Sequence, residues 1–179
     1  MKLLIIKIII MKTFTKTILL LVLIAFSTSS FAQKSDTEKG WVSGNSVMYS
    51  SPVGNMEAYN YGLGFYGNVD YVINKHFAAR LDIGWNEFTG SEHQYIDVNG
   101  VYHDVKPSMS VWEFTAGARA NAGIFYLEAR GGYYTGVDSW GFVPAIGLRY
   151  KNFDLQGNFN IAGDYHWGGV RLAYYWGKN

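Results

Sequence analysis

The arginines of this chain are confined to one side of an alternating pattern. Arg80, Arg119, Arg130, Arg149 and Arg171 each stand between apolar or small neighbours, as in Leu148-Arg149-Tyr150 and Val170-Arg171-Leu172. The same register collects Asp70, Asp82, Glu113, Glu128 and Asp154, while the opposite register of seven predicted strands carries no charge. A period of two belongs to β-strands, whose successive side chains point to opposite faces. A wall with one charged and one apolar face separates two environments, which points to a membrane β-barrel.

The clearest strand runs from Phe153 to Ile161: Phe153, Leu155, Gly157, Phe159 and Ile161 oppose Asp154, Gln156, Asn158 and Asn160. No helical face can be drawn through it. Phe77, Ala79, Leu81, Ile83 and Trp85 likewise oppose Arg80, Asp82 and Asn86, and Trp112, Phe114, Ala116 and Ala118 oppose Glu113, Thr115 and Arg119. Phe125, Leu127, Ala129 and Tyr133 oppose Glu128 and Arg130. Phe142, Pro144, Ile146 and Leu148 oppose Arg149, with a bulge or irregularity expected at Pro144, which lacks a ladder donor. Val170, Leu172, Tyr174 and Trp176 oppose Arg171 and Tyr175; Tyr61, Leu63, Phe65, Val69 and Tyr71 oppose Tyr66, Asn68 and Asp70. The segment from Trp41 to Tyr49 completes a set of eight, but its alternation is too poor to assign faces. Strands of about ten residues cross a hydrocarbon layer at a barrel's tilt. Connections alternate in length. Asn74-Lys75, Asn121-Ala122-Gly123 and Lys151-Asn152 are tight, whereas Ser50 to Tyr59, Phe88 to Met109, Thr135 to Trp140 and Gly163 to His166 are mostly longer. Short periplasmic turns and longer outer loops fit a membrane barrel with both termini in the periplasm.

Alternation alone leaves open which face is inside, since a soluble barrel would put its apolar face there. The types of charge decide. Strands facing water use lysine freely, yet every lysine after the leader lies at a terminus, turn or strand end. The charged face instead mixes arginine and carboxylates with Gly, Ala and Asn, residues that suit the crowded lumen of an eight-stranded barrel. Five arginines against five acids is also the balance a buried network needs. Tyr61, Tyr71, Trp85, Trp112, Tyr133, Tyr150, Trp167 and Trp176, near strand ends, are candidates for two interfacial aromatic girdles.

Residues 1–32 read as a cleaved Sec-type signal peptide. Lys12 and Lys16 form a basic start, Ile18 to Phe26 an apolar run, and Ser30-Phe31-Ala32 a small-x-small cleavage site. Met11 begins a complete leader by itself and is a candidate true start. Residues 33–179 then form one barrel domain with 11 Lys+Arg against 14 Asp+Glu, a net charge of −3. No basic surface for nucleic acid is implied. The absence of cysteine excludes disulfides, thiolate metal sites and a cysteine nucleophile. An aromatic content of 17% without long apolar runs after the leader suits a β-barrel better than a helical membrane protein.

The long connection holds its own hairpin signal, Tyr95-Ile-Asp-Val-Asn99-Gly100-Val-Tyr-His-Asp104. Asn99-Gly100 favours a type I′ turn that would set Asp97 opposite Tyr102. The flanking strands are expected to continue outward as a protruding hairpin, either an edge for an extracellular protein partner or simply a solvated loop. His93, Asp97, His103 and Asp104 cluster there without obviously converging, so solvated loop residues are favoured over a metal site and none is assigned.

The leader ending Ser30-Phe31-Ala32, the segment Tyr71-Val-Ile-Asn-Lys-His-Phe77-Ala-Ala-Arg80-Leu and the aromatic closing strand Val170-Arg-Leu-Ala-Tyr-Tyr-Trp176 resemble the small Gram-negative outer-membrane β-barrel family, the OmpX-like or OmpA-like barrels. The resemblance spans essentially all of 33–179. It implies an all-β fold, an eight-stranded antiparallel up-and-down transmembrane β-barrel, in the outer membrane. It further implies contacts with outer-membrane lipids, lipopolysaccharide and the barrel assembly machinery, although family closing strands often end on the aromatic and here Gly177-Lys178-Asn179 follows. A structural or surface-interaction role is expected, with a plugged polar lumen, no cofactor and no catalytic residue. One alternative is a lipid A deacylase or acyltransferase, which needs a nucleophile beside a base. His76, His93, His103 and His166 are available, but none begins a His-x-Ser pair on a strand; Ser139 and Asp138 could approach His166. A small-solute porin is the other alternative, disfavoured because ten charged side chains leave little lumen.

Overall fold

A computed structural model describes residues 39–91, 93–96 and 102–176. The expected signal peptide, its cleavage site, Met11 and the Asn99-Gly100 turn lie outside the described residues. The strands are β1 Gly40–Gly54, β2 Tyr59–Val72, β3 Phe77–Gly90, β4 His93–Ile96, β5 Tyr102–Val105, β6 Ser108–Ala122, β7 Phe125–Tyr134, β8 Ser139–Tyr150, β9 Phe153–Ala162 and β10 Tyr165–Trp176.

Eight of them close a barrel in the order β1-β2-β3-β6-β7-β8-β9-β10, and β1 pairs with β10 to finish it. Every adjacent pair is antiparallel. Closure removes the unpaired edges that an open sheet would present. It also turns the alternation of each strand into an inside and an outside. Asp70, Arg80, Asp82, Glu113, Arg119, Glu128, Arg130, Asp154 and Arg171 point inward and are buried, whereas Leu63, Phe65, Leu81, Ile83, Phe114, Leu127, Ile146, Leu155 and Leu172 are exposed.

The tight turns sit at the end that carries Gly40 and Trp176. Asn74 Oδ1 accepts the His76 and Phe77 amides at 2.8 and 2.9 Å, closing the β2–β3 turn. Gly123 and Lys151 take positive φ values of 65° and 52° in the other two.

Several boundaries differ from the expectation because pairing continues past the apolar belt. β3 runs to Gly90, which brings Glu87 onto the outward register near the loop end, hydrogen-bonded to Ser110. β8 begins at Ser139 and β10 at Tyr165, so the last loop shortens to Gly163 and Asp164, with Gly163 at φ 58°. β6 runs through Ala122, so its turn to β7 is Gly123-Ile124. Pro144 causes no bulge. The β8–β9 ladder omits Val143 and Pro144 but keeps one register on both sides, Phe142 opposite Ile161 and Ala145 opposite Asn158, while the β7 ladder runs straight through Ala129 and Pro144. A missing donor deletes ladder bonds without inserting a residue.

The hairpin strands β4 and β5 form a separate two-stranded sheet. Ile96 opposes Tyr102, one residue away from the Asp97–Tyr102 pairing that a two-residue Asn99-Gly100 turn requires.

β1 explains its own illegibility. Val42, Gly44, Ser46, Met48 and Ser50 face inward, and Trp41, Ser43, Asn45, Val47 and Tyr49 outward. Both faces mix polar and apolar residues, so alternation cannot mark either.

Candidate functional site

Inward-pointing side chains form three layers along the barrel axis. At the turn end, Val42, Val72, Ala173 and Tyr175 make a small apolar floor. Above it lies the ion network. Asp70 binds Arg149 at 2.8 Å, Arg119 at 3.3 Å and Arg80 at 3.8 Å, and Asp154 binds Arg149 at 3.0 Å and Arg119 at 3.2 Å. Glu128 binds Arg119 at 2.7 Å, Arg130 at 2.8 Å and Arg80 at 3.4 Å. Asp82 joins Arg171 at 2.7 Å and Arg80 at 2.8 Å, and also pairs with Arg130. The arginines come from β3, β6, β7, β8 and β10, so the network laces most of the circumference together.

Glu113 departs from the pattern. It takes no arginine among the described residues; its Oε1 accepts the Tyr66 hydroxyl at 2.7 Å. Five arginines thus share four acids, and tyrosines supply further contacts. Arg171 stacks on Tyr66 at 3.9 Å, Arg119 on Tyr126 at 3.9 Å and Arg149 on Tyr175 at 3.8 Å. Tyr126 and Gln156 also bind carboxylates: Tyr126 donates to Asp154 at 2.5 Å and Gln156 to Glu128 at 3.0 Å. Gly84 makes room for the Tyr66 ring, since a Cβ there would meet it at 1.9 Å.

The loop-end layer is apolar: Met48, Phe88, Val111, Tyr134, Val143, Ala162 and Trp167, with Met56 folded in from the β1–β2 loop. Trp167 packs edge-on against Phe88 at 5.4 Å and Tyr134 at 5.6 Å. This corrects one expectation. Trp167 is 0% exposed and belongs to this interior layer, not to an outer girdle. It shares the register of Arg171, so its side chain must point inward. Phe88, Tyr126 and Tyr134 were missed in the same way, although their parity with Asp82 and Arg130 marks them.

The other girdle candidates face outward. Tyr61, Trp112 and Tyr150 are exposed, and Tyr71, Trp85, Tyr133 and Trp176 are half-buried on the same outer surface. Trp41 and Trp140 join them; both were overlooked, Trp41 because the faces of β1 were unassigned.

Among the described residues, Ser139, Asp138 and His166 share no hydrogen bond. The Ser139 hydroxyl donates to the Trp140 carbonyl at 3.0 Å on the inward register, while His166 lies on the outward register with Nε2 3.2 Å from the Gly163 carbonyl. Asp138 instead accepts the Tyr133 hydroxyl. Of the hairpin cluster, Asp97 lies outside the described residues, and among the described residues no group of three or more His, Asp or Glu side chains is placed to hold a metal ion.

The fold and interior define a class: a closed eight-stranded β-barrel, ion-paired within and apolar without. No family model matches the chain, and no curated protein does. The solved structures similar to it include the following two. One is a de novo designed transmembrane β-barrel, at 14% identity and TM-score 0.47, covering 78% of this chain and 98% of that one. The other is Ail, the attachment invasion locus protein of Yersinia pestis, in complex with the heparin analogue sucrose octasulfate, at 13% identity and TM-score 0.48, covering 78% and 99% respectively.

Proposed function

We propose that the protein is an integral outer-membrane β-barrel with a plugged polar lumen, which acts through its outer loops and is neither an enzyme nor a wide pore. The observation that carries this reading is the exchange of faces: charged side chains are buried inside while aliphatic and aromatic ones cover the outside. In water such an exterior would be an aggregation surface; in a bilayer it is the ordinary lipid contact of a barrel. Among the described residues no helix is long and apolar enough to cross a membrane, so any crossing is made by strands. The outward aromatics near both ends fit the two interfaces.

Charge at the ends supports the orientation. At the turn end the described turn and outward-facing residues include Lys39, Lys75 and Lys151 and no acid, as suits phospholipid headgroups; the loop end carries Glu57, Glu87, Asp138 and Asp164 against Lys106. That acidic rim favours a cationic partner over bare lipopolysaccharide phosphates. The Phe88–Met109 connection, with its own small sheet, is the natural place for an extracellular protein to bind. The likeness to OmpX-like or OmpA-like barrels, export by a Sec-type leader and insertion by the barrel assembly machinery belong to the same proposal.

Planar-bilayer recording of the refolded barrel tests it. The ion network and the Trp167 layer predict no stable, large conductance; sustained large channels would restore the porin alternative.

A further inference from the structure

We propose that the outward surface of β1 and β2 is a contact face for a second copy of this chain, centred on the Asn45 amide. The proposal rests on the membrane reading above. Along β1, Asn45 lies midway between Trp41 and Tyr49, both exposed. Trp41 packs on Tyr71 of β2 at 4.8 Å and Tyr49 on Tyr61 at 6.3 Å, so an aromatic pair brackets each end of this face. With these pairs at the two interfaces, Asn45 is placed near the middle of the hydrocarbon.

Among the described residues the Asn45 amide bonds to no side chain of its own barrel. Its register partners are Gly67 on β2 and Tyr174 on β10. Ser43, two residues away on the same face, has its Oγ buried without a hydrogen-bond partner. Val47, Leu63, Phe65 and Val69 complete the face and are apolar. At mid-depth there is no water, and acyl chains neither donate nor accept, so an isolated amide is costly. An asparagine carries both a donor and an acceptor. Two copies related by a twofold axis can therefore satisfy each other with a reciprocal pair of hydrogen bonds.

Gly67 supplies the close approach that such a pair needs. A Cβ built there would find its nearest atom, the Ile83 carbonyl oxygen, only at 4.0 Å, so its missing side chain leaves an open notch between Phe65 and Val69. Small residues serve this purpose wherever membrane segments associate.

The chain has no cysteine, so a single introduced thiol reports one position. Val47→Cys lies on the proposed face, and Leu127→Cys on β7 lies across the barrel. Each is refolded as the full barrel in phosphatidylcholine vesicles at low protein-to-lipid ratio and exposed to mild oxidant. Val47→Cys is expected to form disulfide dimers about ten-fold faster than Leu127→Cys, and adding Asn45→Leu should lower that rate by about ten-fold, the size of a modest polar contact in lipid. Asn45→Leu is outward-facing and leaves the barrel interior intact, which the gel shift between unheated and boiled samples verifies for each variant. Equal dimer formation at the two positions, or a Val47→Cys rate indifferent to Asn45→Leu, overturns the proposal. So does a lack of dimers with a normal heat shift, which leaves the membrane barrel standing. Loss of the heat shift in the unsubstituted protein counts against the membrane reading itself.

Discussion

Replacing Asp82 by alanine should unlatch the interior. Its carboxylate is shared by Arg80, Arg130 and Arg171. Arg80 retains Asp70 and Glu128, and Arg130 retains Glu128. Arg171 retains no carboxylate within ion-pair distance among the described residues, only the Asn68 amide oxygen at 3.4 Å and the Tyr66 ring. Five buried guanidiniums would then share three carboxylates, those of Asp70, Glu128 and Asp154. Breaking one partner out of a buried pair costs about 3–5 kcal/mol, because the remaining ion is neither solvated nor neutralised. With a urea dependence of about 1–3 kcal/mol per molar, the unfolding midpoint should fall by roughly 2 M. Urea titration of the vesicle-inserted barrel, followed by tryptophan fluorescence and the heat-dependent gel shift, measures this. The double variant Asp82→Ala with Arg171→Met removes both charges and should recover at least ~1 kcal/mol, since the cost arises from the abandoned arginine. A single-variant loss under ~1 kcal/mol, or a double variant no more stable than the single, would refute the reasoning. Glu87→Gln, on the outer register, serves as the control and should cost no more than about 0.5 kcal/mol.

Trp167→Ala should destabilise the barrel by about 3–5 kcal/mol through the cavity it leaves, yet give no large channel in planar bilayers, because the ion network beneath remains closed. Large channels in that variant would show that the apolar layer alone seals the lumen. Gly84→Val should displace the Tyr66 ring and lower the urea midpoint, whereas Gly67→Ala, with open space at its Cβ, should leave it within about 0.5 kcal/mol; equal effects of the two would contradict the inward–outward assignment of these glycines. Ser139→Ala and His166→Ala should leave the lipid A acyl pattern of expressing cells unchanged by mass spectrometry. A change lost in either variant would revive the deacylase alternative.

Seven strands were legible because each carries its polar residues on one parity, and parity survives any uncertainty about where a strand ends. β1 was not, since Ser43 and Asn45 face out and Val42 and Met48 face in. Its faces are settled only by register with β2 and β10, which a local pattern does not contain. Trp167 was misplaced for a different reason. Nearness to a strand end suggested a girdle, but its four-residue separation from Arg171 already placed it inside. The arginine–carboxylate composition of the lumen was readable, whereas the substitution of Tyr66 for an arginine at Glu113 depends on cross-barrel distances. Strand ends beyond the apolar belt, such as Phe88 to Gly90, obey pairing and not hydropathy, so loops looked longer than they are.

The central claim is that lipid covers the apolar face and the charged face is enclosed. Nitroxide labels placed one at a time from Val143 to Leu148 on β8, in vesicles, test it most directly through their collisions with oxygen and with a water-soluble nickel reagent. Pro144, Ile146 and Leu148 positions should show high oxygen and low nickel accessibility, alternating with protected Val143, Ala145 and Gly147 positions. Nickel accessibility at the even-numbered positions equal to that of an exposed loop would put this face in water and contradict the account.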